Sequence, residues 1–180
     1  MAEKYKVHPK GLYFVSLTVV GGIDVFTRYE YCDLLIDNIN YCIEHKRLLV
    51  YEYAIMPSQL CMIVGVAEGS LPKVLRDFKS YSARNVLRAI AEQPQEGRKE
   101  WLLRLFQFFA HRYQHNAEHH FWQFGNHLVD LEKSAIRHQP SPSALDKLLK
   151  TKMVEGPEHY VYCSAYPFQR VKLSKMGNEV

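Results

Sequence analysis

The first regular pattern in the chain is an alternation of apolar and smaller or polar residues between positions 11 and 20. Large apolar side chains occupy every second position of this stretch: Tyr13, Val15, Leu17 and Val19. Because side chains two residues apart leave the same face of an extended chain, the alternation predicts a β-strand. Gly21 and Gly22 are expected to end it.

A helical pattern follows this strand. Its repeating positions are spaced by three and four residues: Tyr31, Leu34, Leu35, Asn38, Ile39, Cys42 and Ile43. Thr27 and Glu30 have the spacing of a capping box, in which the threonine oxygen accepts from the third amide and the glutamate reaches back to the cap. The pattern predicts a helix from this cap to about Lys46.

Two further apolar runs, at residues 48 to 56 and 59 to 66, are separated only by Pro57 and Ser58. Both runs have the length of strands and are rich in β-branched or aromatic residues. A link of two residues is too short for the crossover that parallel strands need, so the two strands are expected to pair antiparallel. The segment is therefore predicted to be a β-hairpin.

Ser70 and Pro72 mark the start of a second helix, and Pro94 and Gly97 interrupt the pattern before a third helix at residues 98 to 113. On a helical wheel, one arc of the second helix is suited to the core: Leu71, Val74, Phe78, Tyr81, Ser82 and Ala89. The opposite arc is cationic, with Lys79 at its border: Lys73, Arg76, Arg84 and Arg88. This helix is predicted to pack through one face and to present positive charge on the other.

The remaining segments have weaker patterns. Residues 120 to 131 are predicted to be extended, residues 138 to 143 contain helix breakers, and residues 144 to 153 are predicted to form a short helix. The order strand, helix, strand, strand, helix opens a split βαβ unit. We therefore predict an α+β fold, with a ferredoxin-like antiparallel sheet and helices packed on one face. A single domain over residues 1 to 180 is expected, because 180 residues with 47% apolar side chains can bury one substantial core.

No run approaches the roughly 18 apolar residues of a membrane span, and the start lacks the apolar segment of a secretory signal. A cytoplasmic protein with no membrane partner is therefore expected. The four cysteines, Cys32, Cys42, Cys61 and Cys163, show no paired spacing, which favours reduced thiols in the core.

The net charge of +4 is too small by itself to indicate a nucleic-acid partner, but its distribution is uneven. Residues 71 to 104 hold eight basic and four acidic side chains, so this window carries the whole excess. A local basic excess beside a neutral body is typical of phosphate contacts, although a charged helix face is often only solvated.

Two groups of residues have a spacing that bears on metal binding. Gln59 and Cys61 leave the same face of a predicted strand, but an amide and a thiol suit neither magnesium nor zinc. His111, His115 and His119 recur at four-residue steps that could chelate a metal, yet no carboxylate or thiol is spaced to complete the site, and surface histidines are favoured. No phosphate-binding loop or nucleophile elbow occurs.

Several blocks taken together resemble a known family, and they extend from about residue 11 to residue 168. The most specific are RDFK at residues 76 to 79, FWQ at 121 to 123, and PEHY with the following SA at 157 to 165. The chain resembles the single-tyrosine transposases of the HUH nuclease superfamily, and the REP-associated tyrosine transposases most of all. The resemblance implies a ferredoxin-like fold and action on single-stranded or hairpin DNA.

In that family a tyrosine attacks the phosphodiester while a magnesium or manganese ion, held by two histidines of a strand motif, polarises the phosphate. The resemblance places Gln59 and Cys61 at the histidine positions and Ser143 at the tyrosine position. No tyrosine occurs between Tyr113 and Tyr160, so a shift of register does not restore one. The resemblance thus implies that no catalytic residue is intact and that no metal cofactor is retained.

The first hypothesis is therefore a degenerate transposase-like protein that binds single-stranded or hairpin DNA, as a monomer or homodimer, without cutting it. Its phosphate contacts would come from the second helix: Lys73, Arg76, Lys79, Arg84 and Arg88. Tyr81 or Trp122 could stack on unpaired bases. One alternative is an active nuclease that uses Cys61 or a tyrosine with a metal held by histidines from residues 111 to 127. The other is an interaction module with no nucleic-acid role.

Overall fold

The computed structural model describes residues 11–113, 117–136 and 142–175. Four strands form one antiparallel sheet in the order β2-β3-β1-β4: β1 (Tyr13–Thr18), β2 (Leu48–Met56), β3 (Gln59–Val66) and β4 (His127–Asp130). The helices are α1 (Tyr29–Lys46), α2 (Leu71–Glu92), α3 (Lys99–Arg112), α4 (Leu131–Ile136) and α5 (Ala144–Lys150). The predicted hairpin coincides with β2 and β3. The strand order is that of a ferredoxin-like sheet, which confirms the predicted fold class.

The larger core lies on the sheet face that is covered by α1 and α2. Alternate residues of β1, such as Val15 and Leu17, point to this side and are almost completely buried. They pack with apolar residues of the helices, including Leu35 and Phe78. The two long helices thus occupy one face, as the sequence predicted, because their apolar stripes match the apolar face of the sheet.

A smaller core lies on the opposite face. Phe14, Cys61 and Ile63 point to this side, and Ala144 and Leu148 of α5 pack against them. Ala144 and Leu148 are four residues apart and therefore share one face of the helix. The short helix α5 thus covers part of the face that the sequence prediction left open.

Two details of the helix predictions are wrong. Helix α1 begins after Arg28, and no side chain caps it, so Thr27 and Glu30 form no capping box. Glu30 instead accepts a hydrogen bond from Arg28 at 3.4 Å, which draws its side chain away from the cap. In α2, Tyr81 lies outside the core and is 44% exposed; its ring stacks on Tyr41 of α1, which is exposed to the same extent.

The segment at residues 120 to 131, predicted to be extended, forms a strand only at its end, in β4, and Trp122 makes one further bridge with Val19. The short α4 that follows β4 was not predicted. None of the described helices has the length and apolar character needed to cross a membrane.

Candidate functional site

A patch of polar side chains lies on the sheet face that α5 covers. The antiparallel register pairs Ser16 with Cys61 and Thr18 with Gln59, so all four side chains leave the same face of neighbouring strands. Gln59 donates from Nε2 to Ser16 Oγ at 2.7 Å and to Thr18 Oγ1 at 2.8 Å. Together with Lys147 of α5, these residues are called the polar patch below. The amide of Gln59 therefore fastens β3 to β1 within the patch.

Cys61 is the buried member of the polar patch, with 0% of its surface exposed. Its thiol donates to Ser16 Oγ at 3.7 Å. Burial raises the pKa of the Cys61 thiol, and the nearby Lys147 and Ser16 oppose this effect without overcoming it. A thiol that stays protonated and closed to solvent is a poor nucleophile, which is evidence against recruiting Cys61 for catalysis.

Lys147 brings the positive charge of the polar patch. Its Nζ donates to Ser16 Oγ at 3.4 Å and lies 5.9 Å from the centroid of the Phe14 ring. The Lys147 residue is partly exposed. Sequence reasoning missed this residue, because its neighbour Ser16 is 131 positions away along the chain.

Ser143, which stands at the tyrosine position implied by the resemblance, caps the N-terminus of α5. Its Oγ accepts from the backbone N–H groups of Leu145 and Asp146, both at 3.2 Å. The same hydroxyl donates to Glu52 Oε1 at 2.6 Å. Glu52 Oε1 also accepts from the N–H of Ala144 at 2.5 Å. The hydroxyl of Ser143 and the carboxylate of Glu52 together attach the start of α5 to β2. Both groups therefore serve to cap this helix.

These residues do not fit the magnesium or manganese ion that the resemblance implies. Both cations prefer oxygen ligands such as carboxylates, carbonyls and water. The polar patch instead offers an ammonium group, a protonated thiol and the NH₂ group of Gln59, which all present hydrogen atoms or positive charge. Within the described part of the chain, no three His, Cys, Asp or Glu side chains are grouped for a metal.

The histidines considered for a metal site are spread over different places. His115 lies outside the described residues, so the spacing of the three cannot be followed in the structure. His119 lies after α3 with a mostly buried side chain, whereas His111 is exposed on α3. His127, on β4, pairs with Ser16 and so shares the face of the polar patch, where it is exposed.

The cationic face of α2 lies on the other side of the sheet from the polar patch. Four of its side chains are exposed and recur at three- to eight-residue steps along one stripe: Lys73, Arg76, Arg84 and Arg88. They are called the basic stripe below. Arg84 lies 6.0 Å from the ring centroid of Tyr81, which itself stacks on Tyr41 at 5.6 Å. The stripe thus combines positive charge with an exposed aromatic ring.

Lys79 is not part of the basic stripe. Its Nζ donates to Gln123 O at 2.7 Å, to Gly125 O at 3.0 Å and to Asn126 Oδ1 at 3.3 Å. Burial lowers the pKa of Lys79. The ammonium group therefore holds the loop that leads into β4, a role that its border position on the helical wheel did not reveal.

Trp122 cannot stack on a base in this structure, so that expectation is wrong. The residue is 4% exposed, its Nε1 donates to Ser82 Oγ at 3.0 Å, and its ring stacks on Phe26 with centroids 5.8 Å apart. A tryptophan between apolar neighbours is more often core than surface, and here the buried Ser82 satisfies its polar atom.

The fold and the polar patch define a class of protein: a ferredoxin-like sheet with two long helices on one face and, on the other, a short helix that covers a small core and a polar patch. A REP-associated tyrosine transposase bound to a REP hairpin has a similar structure, with a TM-score of 0.53 at 12% identity over 91% of this chain and 82% of that chain. A candidate transposase from Deinococcus radiodurans R1 gives a TM-score of 0.48 at 13% identity, over 84% of this chain and 98% of that one.

No protein-family model matches the chain, and no curated protein is significantly similar to it in sequence. At 12% identity, the first of the two structures establishes the fold alone. The transposase-like fold implied by the resemblance is thereby confirmed.

Proposed function

We propose that this chain is a transposase-like protein that binds single-stranded or hairpin DNA and does not cleave it. The observation that carries the proposal is the combination of a transposase-like fold with a polar patch that offers neither metal ligands nor an activated nucleophile. Gln59 and Cys61 are engaged by Ser16, and the Ser143 hydroxyl is engaged as a helix cap. Strand cleavage needs an electrophilic ion and an activated hydroxyl together, and these contacts supply neither.

The basic stripe is the surface proposed for the phosphate backbone. It runs along about four turns of α2, or roughly 22 Å, which can face several phosphates of a nucleic acid. Only one acidic side chain, Asp77, interrupts this part of α2, and it is shared between Lys46 at 3.5 Å and Arg76 at 3.6 Å. Tyr81 is exposed beside Arg84 and is suited to stacking on an unpaired base.

Fluorescence anisotropy with labelled hairpin and single-stranded oligonucleotides, at several salt concentrations, tests this proposal. Replacing Arg76, Arg84 and Arg88 by glutamine should weaken binding by at least about tenfold and reduce the salt slope by about two. Arg104→Gln is the matched control, because Arg104 is exposed on α3 and has its own carboxylate partner, Glu100, at 3.9 Å. An unchanged slope in the triple variant would reject the basic stripe as the binding surface.

The same oligonucleotides, incubated with manganese and resolved on a denaturing gel, test the absence of cleavage. We expect neither a nicked product nor a covalent adduct, and either one would revive the alternative of an active nuclease with recruited residues.

An interaction module with no nucleic-acid role is the second candidate. The observation that favours it is the exposure of large aromatic side chains on α3, where Trp101 is 55% and Phe108 is 54% exposed. Exposed apolar surface of this kind is typical of protein contacts. Failure of every oligonucleotide to bind at low salt would favour this candidate over DNA binding.

A further inference from the structure

We propose that the polar patch is a metal-independent binding site for one phosphate group of the nucleic acid, with the Lys147 ammonium as its charged ligand. This inference rests on the proposed function, which it extends to the opposite face of the sheet. The sheet face then contributes to binding through the fixed charge of Lys147, without the cation that the resemblance implies.

The position of Lys147 is well defined by the contacts at the start of its helix. Ser143 and Glu52 together satisfy the N–H groups of the first turn of α5 and attach that turn to β2. Lys147 follows Ser143 by four residues and its backbone N–H bonds to the Ser143 carbonyl at 3.2 Å, so it lies one turn further along the same face. The anchored helix therefore directs the ammonium group to the sheet.

Among the described residues, no carboxylate pairs with Lys147. Lys147 meets the Ser16 hydroxyl, the Phe14 ring and the Cys61 thiol, none of which carries a negative charge at neutral pH. Glu52, the acidic residue on the same sheet face, accepts from three donors at the start of α5. An ammonium group with neutral partners in a partly enclosed site is suited to binding an anion.

The surrounding donors fit a phosphate group. The hydroxyls of Ser16 and Thr18 can each donate as well as accept, and Gln59 and Thr18 are partly exposed, so the patch is open to solvent at one side. His127 lies next to Ser16 across the β1–β4 pair and is exposed on the same face. A phosphate of an extended strand can therefore reach Lys147 from the side of β4.

Anisotropy measurements with a single-stranded oligonucleotide, in EDTA and in magnesium at equal ionic strength, test the inference. The wild type should bind equally well in both buffers. Lys147→Gln should weaken binding by about five- to tenfold and lower the salt slope by about 0.7, whereas Lys147→Arg should retain most of the affinity. Lys150→Gln is the control, because Lys150 is exposed on the same helix, and it should change the affinity less than about twofold.

Circular dichroism of each variant establishes that it is folded before binding is compared. If the oligonucleotide binds and Lys147→Gln binds as tightly as the wild type, the inference is overturned while the proposed function stands. A wild-type affinity that rises severalfold with magnesium also overturns it. If no oligonucleotide binds, the proposed function fails, and NMR of the lysine ammonium groups with inorganic phosphate decides the inference. A shifted Lys147 resonance supports the site, and an unshifted one rejects it.

Discussion

Replacing Glu96 by glutamine tests how the connection between α2 and α3 is held in place. Glu96 lies in this connection and is 4% exposed. Its Oε1 accepts from the backbone N–H of Arg98 at 3.0 Å and from Arg98 Nε at 3.1 Å. Its Oε2 accepts from Arg98 Nη2 and from the Tyr31 hydroxyl, both at 3.1 Å. One buried carboxylate thus joins α1 to the segment before α3.

Glutamine keeps one acceptor oxygen and replaces the other by an NH₂ group, so two of these four donors lose their acceptor. A hydrogen bond to a charged group contributes about 1.5 to 3 kcal/mol. Part of the loss is recovered, because the Arg98 side chain is 36% exposed and can bond to water. We expect Glu96→Gln to lower the free energy of unfolding by about 2 kcal/mol near pH 7.

This loss should depend on pH in a defined direction. Burial raises the pKa of the Glu96 carboxyl, but hydrogen bonds from Arg98 and Tyr31 outweigh burial and bring the pKa below its ordinary value. Such a carboxyl contributes stability that is fully present above its unfolded pKa of about 4.3 and is lost as the pH falls through the folded pKa. The difference in stability between the wild type and Glu96→Gln should therefore shrink below about pH 4.

Urea unfolding followed by circular dichroism, near neutral pH and again near pH 3, measures both effects. Glu92→Gln is the control, because Glu92 is exposed at the end of α2, and its replacement should change stability by less than about 0.5 kcal/mol. A Glu96→Gln variant as stable as this control at neutral pH would refute the reasoning. So would a difference between wild type and Glu96→Gln that keeps its full size near pH 3.

Three other substitutions test polar side chains of the fold. The fully buried Tyr53 hydroxyl has no hydrogen-bond partner within the described part of the chain, so Tyr53→Phe should keep or raise the free energy of unfolding, by up to about 1 kcal/mol. Tyr31→Phe should lower the free energy of unfolding by a similar amount. Equal losses of stability for Tyr31→Phe and Tyr53→Phe in thermal denaturation would contradict this difference. Lys79→Met should speed hydrogen exchange at residues 123–126 by about tenfold, whereas the control Lys73→Met should leave it unchanged. Unchanged exchange in both variants would show that other contacts hold the loop.

The parts of the fold that could be predicted from the sequence are those specified by nearby residues. The hairpin of β2 and β3 follows from two apolar runs around Pro57 and Ser58, and the break between α2 and α3 follows from Pro94 and Gly97. These signals act within a few positions of the elements that they define. They remain readable without any knowledge of tertiary structure.

The candidate site was predictable only in part, because its members meet across long stretches of chain. Gln59 and Cys61 could be placed on one face by their spacing, but their partner Ser16 lies 43 and 45 positions away. Lys147 comes from a short helix whose docking depends on Glu52, 91 positions before Ser143. Neither Ser16 nor Lys147 belongs to a recognisable sequence motif. Their contacts in the polar patch arise only when the chain folds.

The residues that the resemblance places at the catalytic positions make contacts of their own, and these contacts bear on the proposed function. Gln59 joins two strands, and the Ser143 hydroxyl caps α5 and bonds to Glu52. Because each residue stabilises the fold where it stands, Gln59→His or Ser143→Tyr would remove one of these contacts. Lys147 would still place positive charge beside any metal bound there. Under the proposed function, these contacts therefore favour holding a phosphate at the sheet face over cleaving it.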